Sequence, residues 1–422
     1  MHTISRVVFL FCGVACALAP AALAPSARAQ TFDRLDPLAP GFALFGTDVS
    51  ADGNVAFGYG AIGFSTQRAA KWLGSSTTAV TTLSPVTAYQ SCISTAINAD
   101  GSVGVGTSIE SPASFAPTRA TRWVGSTVQN LGILPNGHGS YAHGVSGDGN
   151  VVVGYCLMQD GSQIAYRWSS TGGMVPIGTF NGGNITSAQD VSQDGSVIVG
   201  ALPSVARAYR WTLEDGVEDL GNLTPGGNSV ANGVSSDGEV IVGRATVLGG
   251  QQHAMRWTSA LGMQSIGTLP NGTTATASDT NADGSVIVGQ AFVTGAGNRA
   301  FVWTPGTGML DLREYLAQRI TGLDGWILSA AEGVSDDGAT IVGWGTLNGV
   351  VMGFRVSGLS FANPCPACAA DFDANGGIDG GDLAAFFAEF EVGGACADVD
   401  LNGGVDGGDL AAFFVFFEAG GC

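Results

Sequence analysis

Short runs of apolar residues, many alternating with polar ones, recur along the 422-residue chain and are cut at regular places by an Asp-Gly pair. The clearest copy runs Gly233-Val-Ser-Ser-Asp-Gly-Glu-Val-Ile-Val-Gly243. Its period-2 flanks predict two strands, and Asp-Gly between them predicts a tight hairpin turn. The pair recurs at Asp52-Gly53, Asp100-Gly101, Asp148-Gly149, Asp194-Gly195, Asp237-Gly238, Asp283-Gly284 and Asp337-Gly338, at intervals of 48, 48, 46, 43, 46 and 54 residues. A fixed period of this size is the mark of a repeat architecture.

Each unit carries two further segments. A basic-aromatic strand ends at Trp72, Trp123, Trp168, Trp211, Trp257 and Trp303, with Phe354 near the equivalent place in the last copy. A short apolar segment follows, as in LGILPNG from Leu131 and IGTLPNG from Ile266. Four strands in roughly 40 to 50 residues is the size of one β-propeller blade. The seventh copy stops after its Phe354 strand, but Leu35-Asp-Pro-Leu-Ala-Pro-Gly41 offers the missing segment at the start of the chain. An N-terminal strand that completes the last blade removes a free sheet edge and closes the ring. The expectation is an all-β, seven-bladed propeller over residues 30–360. Apolar residues at helical spacing in the segment 310–320 predict a short helix that accounts for the 54-residue interval.

Composition adds a compartment. Residues 1–29 read as an export signal, with Arg6, an apolar run from Val7 to Ala19 and Ala27-Arg28-Ala29 as the cleavage site. After it, no stretch is long and apolar enough to cross a bilayer, so no transmembrane segment is expected in the mature chain. The formal net charge of −19 speaks against nucleic acid as a partner. Six cysteines follow the signal, which suits an oxidising compartment. Cys92 and Cys156 form a bridge or remain buried thiols. Cys365, Cys368, Cys396 and Cys422 allow three connectivities.

The ring offers no recognisable catalytic motif. Asp and Gly at each turn are explained by side-chain capping and positive φ without invoking a metal. The basic residue beside each Trp is read as an inter-blade contact, through a ring face or a carboxylate. Gly58-Tyr-Gly-Ala-Ile-Gly63 matches a dinucleotide fingerprint but precedes a strand rather than a helix. His138, His143 and His253 have no recurrent partner, so no role is assigned to them.

The tail is a separate object. No Lys or Arg follows Arg355, while eleven acidic residues lie between Asp371 and Glu418. Asp371, Asp373, Asn375, Asp379 and Asp382 stand at positions 1, 3, 5, 9 and 12 of a loop, with Gly376 at position 6 and the carbonyl of Gly377 at position 7. Asp398, Asp400, Asn402, Gly404, Asp406 and Asp409 repeat the pattern. Six oxygens and a sharp glycine turn suit calcium, so two ions are expected. One helix follows each loop, from Leu383 and from Leu410.

The seven copies of AxGVSxDGxVIVG followed by RAxRW resemble the HAF-type extracellular repeat proteins of bacteria over residues 45–356. Asn98 and Asn281 replace Ser in the second and sixth copies. That resemblance implies a secreted or surface-exposed repeat domain and carries over no catalytic residue. Residues 361–422 resemble a dockerin, and the Gly-Cys ending is similar to the GC-type dockerin-like domains of planctomycete-like bacteria. Such a domain implies a cohesin-like or other scaffold partner. Loop positions 10 and 11 are Gly380-Gly381 and Gly407-Gly408 here, and Phe387 and Phe414 stand where basic residues are common, so the partner departs from the cohesin pattern.

The sequence thus points to a secreted or surface-attached binding protein. Its propeller displays a face for a carbohydrate or protein ligand, and its calcium-dependent tail attaches it to a partner. The alternative is a polysaccharide hydrolase or lyase. An acidic pair lining the central channel would favour the enzyme, and a smooth glycine-lined mouth the binder.

Overall fold

The computed structural model describes residues 30–74, 81–110, 117–180, 183–202 and 206–361. In the tail it describes Ala370, Phe372, Ile378, Ala397, Val399 and Val405 and the residues 380–391 and 407–419. The expected export signal, ten of the twelve expected calcium ligands and the four tail cysteines lie outside the described residues.

Seven four-stranded antiparallel sheets form the seven blades of a propeller. In the first blade the strands are Leu44–Val49, Val55–Gly63, Thr66–Leu73 and Thr81–Leu83, from the channel outward. The last blade takes Trp326–Val334, Ile341–Leu347 and Val350–Ser357 from the C-terminal side and Thr31–Arg34 from the N-terminus. Thr31 pairs with Ser357 and Arg34 with Phe354, so the ring is closed as expected. One detail differs from expectation. The LGxLPxG-like segment is not the outer strand itself but mostly follows it, as Leu131 follows Thr127–Asn130 and Leu35 follows Thr31–Arg34. Its apolar side chain is buried, which is why its hydrophobicity stands out in the sequence.

Adjacent blades share their cores. Val242 and Ile266 of the fifth blade pack with Ala277, Phe301 and Trp303 of the sixth. At five of the turns the serine hydroxyl of the S-x-D-G motif bonds the aspartate, as Ser146 Oγ to Asp148 Oδ1 at 2.7 Å. The Asn150 N–H and the Ser146 hydroxyl hold the Asp148 carboxyl below its ordinary range. Asn98 and Asn281 keep the same function as the serines they replace, because their Oδ1 atoms accept from Val103 N and Val286 N. The turn glycine is required twice over. Gly149 has φ +73°, and a Cβ there would lie 2.7 Å from Val103 of the previous blade.

In two blades the basic residue beside the Trp bonds a backbone carbonyl of the next blade and also feels the charge of its turn aspartate. Lys71 Nζ donates to Gly101 O at 2.6 Å and Arg122 Nε to Gly149 O at 2.9 Å. Arg122 also lies over the Trp168 ring, 5.9 Å from its centroid.

Helix α1 (Leu312–Ala317) fills the insertion in the sixth-to-seventh connection, capped by Asp311, which accepts from Glu314 N. In the tail, α2 (Gly380–Glu391) and α3 (Gly407–Ala419) pack through Phe386 and Phe413, whose rings stack at 4.0 Å. No described helix is long and apolar enough to cross a membrane. Cys92 and Cys156 are buried free thiols; Cys92 donates to Leu83 O of the preceding blade and Cys156 lies against Met174 Sδ of its own.

Candidate functional site

Every innermost strand skips one residue in pairing with the second strand. In the first blade Gly46 pairs with Gly58 and Asp48 with Phe57, leaving Thr47 unpaired. The same bulge leaves Thr95, His143, Gln189, Asn232, Ser278 and Glu332 unpaired in the other six. A bulge bends the strand and re-aims the extra side chain. The last glycine of each VIVG-like run faces this bend. A Cβ on Gly154 would meet Tyr141 O at 2.0 Å, and one on Gly243 would meet Val230 O at 2.0 Å. Only glycine lets the inner strand come that close.

The seven bulge residues ring one mouth of the central channel, together with Phe45, Tyr59, Ser94, Thr276, Gln290 and Trp344, around a cavity of about 430 Å³. Several of them link to the next blade: Thr95 Oγ1 donates to Ala142 O at 2.9 Å, and Asn232 Nδ2 to Ala277 O at 2.8 Å. His143 Nδ1 lies 3.1 Å from Ala188 O, which fixes the proton on Nδ1. Burial holds His143 below the ordinary imidazole range, so Nε2 is an acceptor at neutral pH. Trp344 Nε1 donates to Glu332 Oε1 at 2.9 Å. Burial pushes the Glu332 carboxyl up against that bond and one from Ser278, and it raises the Tyr59 phenol together with the Glu332 charge.

One residue further along each inner strand stand Asp48, Ala96, Gly144, Asp190, Gly233, Asp279 and Gly333. The three aspartates line a smaller chamber of about 100 Å³. Each spans two blades by accepting two N–H groups: Asp48 from Val49 and Ile97, Asp190 from Val191 and Val234, Asp279 from Thr280 and Val334. The small residues between them make room, for a Cβ on Gly333 would sit 2.9 Å from Asp48 Oδ1. Burial pushes Asp48 up to about 7 and Asp190 up to about 6. Asp279 rises well above the carboxylate range, from burial first and then from the charges of Asp48 and Asp190.

Beyond the three aspartates a circle of backbone hydrogen bonds rims the same chamber. Ala51, Ala99, Gly147, Gln193, Ser236, Ala282 and Asp336 each donate N–H to the carbonyl of the next member at 2.8–3.3 Å, and Asp336 N returns to Ala51 O. This circle of seven hydrogen bonds runs once through every blade.

Asp382 and Asp409 are the two expected calcium ligands among the described residues, and both are fully buried in the first turns of α2 and α3. Asp371, Asp373, Asn375, Gly377, Asp379, Asp398, Asp400, Asn402, Gly404 and Asp406 lie outside them. Among the described residues no three metal-ligating side chains converge.

No family model and no curated protein matches the chain. Solved structures match its fold. An oligogalacturonate lyase from Vibrio parahaemolyticus has a TM-score of 0.55 at 11% identity, covering 78% of this chain and 97% of that one. An oligogalacturonate lyase in complex with manganese has a TM-score of 0.53 at 13% identity, covering 78% and 96%. A prolyl endopeptidase has a TM-score of 0.51 at 12% identity, covering 75% and 50%. At such identities the likeness is one of fold.

Proposed function

We propose that this chain is an exported, non-catalytic binding protein. Its propeller takes a small polar molecule, or a short protruding group of a carbohydrate or protein, at the open mouth of the channel. The carrying observation is the contrast between two sets of positions in one motif. Turn Asp and Gly and the bulge-facing glycine recur in all seven copies, whereas the bulge position reads Thr, Thr, His, Gln, Asn, Ser and Glu. Framework positions repeat because packing demands it, and the bulge position presented to the mouth varies. A cavity with convergent polar groups is the ordinary setting of a ligand site.

The tail supplies attachment in this reading. Asp382 and Asp409 are buried carboxylates beside stacked phenylalanines, in a segment with no Lys or Arg. That chemistry fits a divalent cation held by Asp371, Asp373, Asn375, Gly377, Asp379 and Asp382 in one loop and by Asp398, Asp400, Asn402, Gly404, Asp406 and Asp409 in the other. Calcium would neutralise the carboxylates and order the loops before the helices, as in a dockerin. The partner is a cohesin-like or other surface-scaffold protein.

A polysaccharide-degrading enzyme is the second reading, favoured by the carboxylates that line the channel. Against it, Asp48, Asp190 and Asp279 are each engaged by two backbone N–H groups, which leaves Glu332 as the acidic side chain at the mouth itself.

The mouth reading is tested with the ¹⁵N-labelled mature chain against a panel of neutral, acidic and amino sugars and small amines. A ligand should shift the Trp344 indole resonance saturably, and Gln189→Leu with Asn232→Leu should weaken it about tenfold while leaving the fold intact. Binding that shifts only outer-strand residues would refute this placement. Turnover of a polysaccharide that Glu332→Gln abolishes would establish the enzyme instead.

A further inference from the structure

The charge balance of the mouth narrows the ligand, given the reading that the mouth is the site. Its lining holds Glu332 and no Lys or Arg, and the chamber below holds Asp48, Asp190, Asp279 and Asp336, again without a basic side chain. The acidic group at the mouth stands at an aromatic corner. Trp344 donates its indole N–H to Glu332. Phe45 meets Trp344 edge-on, with centroids 5.5 Å apart at 70°, and stacks on Tyr59 at 5.2 Å and 22°. Ring faces attract cations through their quadrupole, most strongly when both are withdrawn from water. A carboxylate set beside such rings adds direct charge attraction in a partly desolvated site.

We propose that the mouth binds a small organic cation, an amine or quaternary ammonium group, with its charge between the Glu332 carboxylate and the rings of Trp344, Phe45 and Tyr59. The neutral bulge side chains Thr47, Thr95, Gln189, Asn232 and Ser278 then face the uncharged remainder of the ligand and offer it hydrogen bonds. A ligand carrying carboxylates, such as a uronate chain, is repelled by Glu332 and finds no cation to receive it. A neutral ligand leaves the Glu332 carboxylate desolvated without a counter-charge, which costs binding energy.

Choline and its uncharged isostere 3,3-dimethylbutan-1-ol separate charge from shape. The ¹⁵N-labelled mature chain is titrated with each at equal ionic strength, with sodium chloride as the blank, and the Trp344 indole resonance is followed. Choline should give a saturable shift, and the alcohol should bind at least about tenfold more weakly. Glu332→Gln keeps an acceptor for the Trp344 indole, and it should weaken choline about tenfold while leaving the alcohol unchanged. Equal affinities for the two compounds, choline binding that survives Glu332→Gln, or no saturable shift with choline would each overturn the proposal. If a neutral sugar saturates the Trp344 shift where choline does not, the cation assignment falls and the mouth stands as the site. If no compound moves Trp344, both fall.

Discussion

Asp48, Asp190 and Asp279 show how one residue type acquires opposite properties within a repeat. At its turn Asp148 is exposed and held low by N–H and hydroxyl donors. In the chamber, burial outweighs two N–H bonds and holds the carboxyl high. A carboxyl whose folded pKa lies above its unfolded value, ordinarily about 3.9, binds its proton more tightly in the folded state. Its stabilising contribution is complete below pH about 4 and is lost as pH rises through about 6 for Asp190 and about 7 for Asp48. His143 acts in the opposite sense, because burial lowers its pKa and favours folding as pH rises. The informative quantity is therefore a difference between proteins. Thermal melts of Asp190→Ala and the parent chain from pH 5 to pH 8 should show a shallower fall with pH in the variant, on top of its lower overall stability. Parallel curves would remove Asp190 from the pH dependence.

At the scale of elements, the strand Thr31–Arg34 decides whether the ring is closed. Phe32 stacks on Phe354 at 6.0 Å and meets Trp326 edge-on at 5.2 Å. Arg355, which is buried, lies 3.4 Å from Asp33. Leu35 follows the strand into the core beneath the first blade. Deleting residues 30–35 uncovers the outer edge of Val350–Ser357 and empties the places of the buried Leu35 and the half-buried Phe32. Core truncations of this size cost about 2–5 kcal/mol each, so the melting temperature should fall by well over 5 °C, and the exposed edge should promote association. A deletion variant that melts with the parent and stays monomeric would show that the ring does not depend on this strand. The innermost strands carry a second element-scale device, the bulge. It puts one side chain per blade into the mouth without disturbing the hairpin that follows.

At the scale of the whole molecule, two cyclic arrangements organise the propeller: the circle of backbone hydrogen bonds that rims one end and the ring of bulge residues that lines the other. The tail depends on a different source of order. Helices α2 and α3 have 12 and 13 residues, lengths at which an isolated helix is marginal in water, so tertiary contacts such as Phe386–Phe413 have to stabilise them, and the proposed calcium would add to these. Calorimetry on the mature chain should find two calcium ions. Asp371→Ala with Asp382→Ala should remove one and Asp398→Ala with Asp409→Ala the other, each with loss of helical circular dichroism. Full helicity in chelator, or no calcium bound at millimolar concentration, would defeat the attachment role.

The sequence by itself determined the seven-fold repeat, the hairpin turns and the short helix at Leu312–Ala317, because each is written in local chemistry: Asp-Gly for a turn, alternation for a strand, helical spacing for α1. Closure by the N-terminus was legible as well, but the segment from Leu35 to Gly41 stood out for its apolar residues, whereas the strand that pairs is Thr31–Arg34 before it. The sequence also contained the mouth residues, always five positions before the turn aspartate, where every copy is polar but the side chain changes. That signal went unread because nothing local says that the position is bulged. Thr47 and Thr95 look like ordinary strand residues, and His143 like an isolated histidine. Only the tertiary structure decided where they point, since the channel exists only when seven blades are set around one axis. The charge of the mouth was decided in the same way. Glu332, Trp344, Phe45 and Tyr59 come from the last and first blades, nearly 290 residues apart between Phe45 and Glu332, and the closing of the ring is what brings a carboxylate and three aromatic rings to one corner.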